Sequence, residues 1–150
     1  FTYFEKQYSF INKLFKMSKT TSIFQKLVFI VGLFNFPIGI GLIAQALMAS
    51  NPEVMPIQIA AGAFIFFAGP ALMWASRNLQ TRAPIVTWNG MVRLCGFLGA
   101  LYTYTIGGLP TALLAIAASD LILGFILIIG SSKDTGIPVG KLILGKIDEW

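Results

Sequence analysis

The sequence predicts an all-α membrane protein, a four-helix transmembrane bundle running up-down-up-down with both termini in the cytoplasm. Three observations predict it. Charge is scarce: of 150 residues, 56% are hydrophobic and only 11% charged, where a soluble domain carries about 25%. Four apolar runs each approach the roughly 20 residues that a helix needs to cross a bilayer. The basic residues, finally, cluster at one end of those runs.

The elements follow in order. Residues 1–16 carry Phe4, Tyr8, Ile11 and Phe15 at helical spacing, with Lys6, Lys13 and Lys16 between them. Two readings stand side by side: an amphipathic helix in the membrane interface, or a non-native extension, because Met17 opens a run that reads like a natural start. Residues 17–150 then form a single domain. The first span is expected from about Lys26 to Met48. A loop with Asn51, Pro52 and Glu53 leads to the second, about Ile57 to Ser76. A short polar loop from Arg77 to Arg82, closed by Pro84, precedes the third, about Ile85 to Ile106. Gly107, Gly108, Leu109 and Pro110 make a tight turn. The fourth span covers about Pro110 to Gly130, and a tail with Lys133, Lys141 and Lys146 follows.

Charge sets the orientation. The N-terminal segment, the Arg77–Arg82 loop and the tail hold ten of the 11 Lys and Arg residues, and the two opposite loops hold none. Without residues 1–16 the ratio is still seven to none. The positive-inside rule therefore puts both termini in the cytoplasm. Trp74, Trp88 and Trp150 fall on the same side, where indole rings favour the interface. The net charge of +5 is expected to face anionic lipid headgroups and not nucleic acid. The bilayer itself is thus the first partner.

Several function classes are excluded by what the chain lacks. It has one cysteine, Cys95, and no histidine. Sites that need imidazole, whether for zinc, haem or a Ser-His-Asp or Cys-His catalytic set, have no ligand or base. No catalytic residue, metal or cofactor is expected. Cys95 is expected to serve as a small packing residue.

The chemistry lies inside the spans. Arg93 falls in the third and Asp120 in the fourth, each at about 2.5–3.5 kcal/mol on insertion scales. The turn centres near Gly108, so Arg93 lies 108 − 93 = 15 residues before it and Asp120 lies 120 − 108 = 12 after it. At about 1.5 Å per residue the difference in level is roughly 4–5 Å, within reach of an arginine. Asn35 is expected at a similar level of the first span, in the cytoplasmic half, with Asn89 and Ser119 close by. Pro37 in the first span, and Gly69 with Pro70 in the second, are expected as helix breaks at that level. These residues are expected to converge on the bundle axis. One reading makes the layer a structural device that fixes helix register. The other makes it a site for a proton, an anion or a small polar ligand.

Glycines are frequent in the spans, and close helix packing is the ordinary reason; Gly32 and Gly39 lie seven apart on one face. A shift of 54 residues superposes Asn35 on Asn89 and Pro56 on Pro110, a faint trace of two related hairpins.

Four short stretches carry a family pattern: Arg77 to Pro84; Trp88, Asn89 and Gly90 followed by Arg93; Gly108, Leu109 and Pro110; and Ser119, Asp120 and Leu121. On these, from about Asn35 to Ile129, the chain resembles a broad group of uncharacterised bacterial four-helix inner-membrane proteins. The resemblance implies the fold, with an aspartate in the last helix and a basic residue in the third; it implies no substrate. The expected function is that of a small non-enzymatic membrane protein, an accessory or interaction component that partners a membrane protein or a second copy of itself. The alternatives are a small carrier or ligand-binding protein that uses the polar layer, and a membrane enzyme on a lipid-soluble substrate with Asp120 as its acid–base group.

Overall fold

Helix α1, Ile23–Ala49, begins where two side chains cap each other's backbone. The Ser22 hydroxyl accepts from the Gln25 amide at 3.0 Å, and the Gln25 side chain accepts from the Ser22 amide at 3.0 Å. This Ser-x-x-Gln capping box satisfies two of the donors that every helix start leaves orphaned. The computed structural model describes residues 22–49 and 51–147, so both readings of residues 1–16 lie outside it.

Helix α2, Met55–Ser76, has a proline in its first turn, where a missing N–H costs nothing. The Asn51 side chain accepts the Glu53 amide at 3.2 Å and shapes the turn before it. Helix α3, Leu79–Thr105, starts only two residues after α2 ends. Most of the expected Arg77–Arg82 loop is therefore helix, and Pro84 lies inside α3 instead of opening it. Arg82 explains part of this: its Nη1 donates to the Trp74 carbonyl at 2.8 Å, and its guanidinium lies 3.9 Å from the centre of the Trp74 ring. The first turn of α3 is thereby fastened to the last turn of α2. Helix α3 ends in a Schellman motif. Gly108 donates to the Thr103 carbonyl at 2.9 Å and Gly107 to Tyr104 at 3.0 Å, with Gly107 at φ +77°, a value that suits glycine. Helix α4 is Thr111–Thr135 and stops on the left-handed Gly136, five residues beyond the expected end. A short helix α5, Val139–Ile143, was not expected.

The expected breaks at Pro37 and at Gly69–Pro70 interrupt neither helix. Both α1 and α2 are continuous through their prolines. Each ring removes one hydrogen bond, to the Leu33 and Phe66 carbonyls respectively, and the turns on either side carry the helix across.

The helices pair as two antiparallel hairpins. In α1–α2, a Cβ added to Gly32 would lie 2.8 Å from the Gly69 carbonyl, and one on Gly39 would lie 2.7 Å from the Gly62 carbonyl. The register is one and the same at both levels, since 32 + 69 = 39 + 62 = 101. In α3–α4, a Cβ on Gly90 would lie 2.8 Å from the Gly124 carbonyl. Backbones approach this closely only where a side chain is missing, which is how helices associate when lipid supplies no hydrophobic drive.

The two hairpins meet at one end. Their shared core is Val28, Val31, Leu72, Ala75, Leu79, Val86 and Leu127, all towards the Arg77–Asn78 link. Below it, α5 folds under the start of α3: Ile137 and Leu142 pack with Ala83, and the Trp88 indole N–H donates to the Ile143 carbonyl at 2.8 Å. At the other end the hairpins part, and no residue of the second is buried from Leu94 to Ser119. Cys95, expected in packing, is exposed on this stretch.

Three helices, α1, α2 and α4, are long and apolar enough to cross a membrane, with mean hydropathy of 2.3, 1.7 and 2.6 over their most apolar 18 residues. Helix α3 is as long as α1 at 27 residues and carries Asn89 and Arg93, which lower its own value. Outward-facing side chains such as Phe34 (62% exposed), Phe67 (68%) and Ile116 (64%) are large and apolar. Such a surface suggests a membrane protein, in which lipid takes the place of water.

Candidate functional site

Arg93 sits where the two hairpins separate. It lies near the middle of α3, 93 − 79 = 14 residues from one end and 105 − 93 = 12 from the other. Asn35 is likewise 12 residues into α1 and 14 from its end. The layer was expected in the half nearer the termini. Arg93 and Asn35 are near mid-helix because α1 and α3 start earlier than their hydropathy suggested, while Asp120 lies 120 − 111 = 9 residues into α4 and 135 − 120 = 15 from its end.

The guanidinium joins three helices. Its Nε donates to the Asn89 side-chain oxygen at 3.1 Å, one turn back on α3. Its Nη1 forms an ion pair and hydrogen bond with Asp120 Oδ1 on α4. Its Nη2 donates to Asn35 Oδ1 on α1 at 3.2 Å. Arginine suits such a position because its N–H groups form a fixed planar fork. One charge is thus matched by one carboxylate and two amide oxygens, the arrangement that makes a charge tolerable away from water.

Burial is uneven across the layer. Asn35 is 3% exposed, the Arg93 side chain 15% and the Asp120 side chain 43%. Among the described residues nothing hydrogen-bonds the second oxygen of Asp120, so the layer has a closed side towards α1 and an open side at α4.

Of the residues singled out in the sequence, Arg93, Asp120, Asn35 and Asn89 are brought together, and Ser119 is not. The Ser119 hydroxyl donates to the Ile116 carbonyl at 2.6 Å and faces outward. The residues that superpose under the 54-residue shift, Asn35 and Asn89, both accept from the same arginine. Sequence reasoning passed over one polar group, Thr87, which is fully buried and has no hydrogen-bond partner for Oγ1 among the described residues. Threonine in a helix usually satisfies itself on the preceding turn, so nothing in the sequence distinguishes it. Also among the described residues, no three His, Cys, Asp or Glu side chains gather as metal ligands would.

Comparison with known protein families, with curated proteins and with solved structures finds no match to this chain. The functional reading rests on the geometry of the layer and of the hairpins around it.

Proposed function

We propose that the protein is a small non-enzymatic membrane protein, an accessory or interaction component, in which Arg93 clamps one hairpin to the other. The observation that carries this reading is the engagement of Arg93 with acceptors on α1, α3 and α4 at once. With each of its nitrogens donating to a protein acceptor, three of its five N–H groups are engaged, and the guanidinium acts as a fastening in this reading. The half of the second hairpin beyond the clamp, Leu94 to Ser119, has no buried residue, and this apolar surface is what a partner within the bilayer would cover. In this reading α1 to α4 cross the bacterial inner membrane up-down-up-down, with both ends in the cytoplasm, as the distribution of Lys and Arg favours.

A second reading has an observation of its own. The open carboxylate oxygen of Asp120, half-exposed at the middle of the bundle, is an acceptor that a carried ligand with a polar N–H or O–H group could use. Native mass spectrometry of the protein in lipid nanodiscs, wild type beside Asp120→Asn, separates the two. A co-purifying protein or second copy retained by both forms is the expected result. A stoichiometric small molecule bound only by the wild type would replace the clamp reading with the carrier reading.

A further inference from the structure

Where α1 crosses the end of α4, an apolar groove runs along the outside of the bundle. Phe24 of α1 forms one wall, and Ile122, Phe125, Ile126 and Ile129 of α4 form the other. Its volume is about 390 Å³. Gly130 makes the crossing: a Cβ there would collide with the Phe24 ring, so the missing side chain is what lets the aromatic ring lie against α4. One charged side chain lines the groove, Lys133 at its end, and it has no ion-pair partner among the described residues.

Two features give the groove an occupant. The first is length. From Ile122 to Lys133 is 133 − 122 = 11 residues, about 16 Å of helix. One leaflet of a bilayer's hydrocarbon core is about 15 Å thick. The second is charge. The apolar walls end on one cation in the last turn of α4, at the depth where an acyl chain ends and its headgroup begins. Residues 122, 126, 129 and 133 follow one another at helical spacing along a single face of α4, so chain and headgroup would lie on the same line.

We infer that this groove is a binding site for an anionic phospholipid, one acyl chain lying against Phe24 and Ile126 and the phosphate resting on Lys133. The inference rests on reading α4 as a membrane span. The ammonium is a compact point charge that attracts phosphate without demanding one geometry, and a basic side chain at this depth favours anionic lipid about fivefold.

The test is lipid retention by native mass spectrometry, with phosphatidylglycerol and phosphatidylcholine of identical chains offered together. The wild type should keep one phosphatidylglycerol about fivefold in preference. Lys133→Gln, a change at an exposed position, should lose the preference while still retaining lipid. Ile126→Trp, which fills the groove, should lower retention of both lipids. Equal retention of the two lipids by the wild type, or a preference unchanged in Lys133→Gln, would overturn the site. Failure of the protein to enter lipid at all would instead overturn the membrane reading along with it, and so is distinguishable.

Discussion

Removing Arg93 should cost far more than removing its partner, and removing both should cost little more than removing the partner alone. In Arg93→Met, the Asp120 carboxylate loses its cation and the Asn35 oxygen, 3% exposed, loses its donor. Breaking a buried ion pair from one side costs about 3–5 kcal/mol. The lower figure applies here, because the dissociated helices find substitute partners within the membrane. In Asp120→Leu, Arg93 keeps its bonds to Asn35 and Asn89, so the loss is about 1.5 kcal/mol. The double variant has no charge left at this level and leaves the Asn35 amide unpaired, again about 1.5 kcal/mol. The coupling is then 3 + 1.5 − 1.5, or about 3 kcal/mol, at the upper end for contacting residues. The assay is equilibrium unfolding in bicelles by dodecyl sulfate, followed by the fluorescence of Trp74 and Trp88. Additivity would refute the clamp: a double variant losing about 4.5 kcal/mol, within about 0.5 of the sum, would mean that the two residues act separately.

Three further outcomes follow from the packing. Gly39→Leu should destabilise by about 2 kcal/mol through overpacking, because its Cβ would meet the Phe66 amide at 2.6 Å, whereas Gly41→Leu, with nothing within 4 Å, should stay within about 0.5 kcal/mol of wild type; equal losses in the same unfolding assay would remove the glycine interface. Ser22→Ala should cost about 1 kcal/mol by opening the capping box, seen as faster amide exchange over the first turn of α1, and unchanged exchange would count against the cap. Trp88→Phe loses the hydrogen bond to the Ile143 carbonyl, about 1 kcal/mol, and should speed tryptic cleavage after Lys141; an unaltered rate would show that this bond does not hold α5 in place.

How much of this was legible in the sequence depended on the kind of signal. Apolar runs pointed to the four long helices, because hydropathy is summed over every residue of a run. The starts of α1 and α3 lie three and six residues before the expected ones, since hydropathy weighs Gln25 and Arg82 as loop, while in the fold Gln25 closes a cap and Arg82 stacks on Trp74. The Ser22–Gln25 spacing was the signal that could have moved the start of α1. Prolines are expected as breaks, yet α1 and α2 keep their course through Pro37 and Pro70, because each ring removes one hydrogen bond and the turns on either side keep theirs. Arg93 and Asp120 were findable from level, because helices joined by a tight turn bring similar distances together, and Asn35 from its matching distance along the first span. Ser119 shared that level and not the direction: one residue along a helix turns the side chain by about 100°.

The two hairpins are held by different forces, and this accounts for the separation seen between them. Within a hairpin, glycine opposes glycine at a fixed register, so the gain is van der Waals contact spread along the interface and needs no charge. Between hairpins such matching is lacking beyond the core of Val28, Leu72 and Leu127, and the last connection before they part is the arginine and its acceptors. Contact between smooth apolar faces can slide, because lipid offers either helix nearly the same dispersion energy. A guanidinium fork cannot, since each nitrogen must find its oxygen again. In the clamp reading, then, the glycines bring helices close and the arginine decides at which level the halves meet. A substitution that kept the charge and lost the fork, Arg93→Lys, should preserve insertion of α3 while loosening the meeting of α1 with α4; cysteine crosslinking between those helices would then spread over neighbouring positions, and a single sharp crosslink as in the wild type would show that the charge alone sets the register.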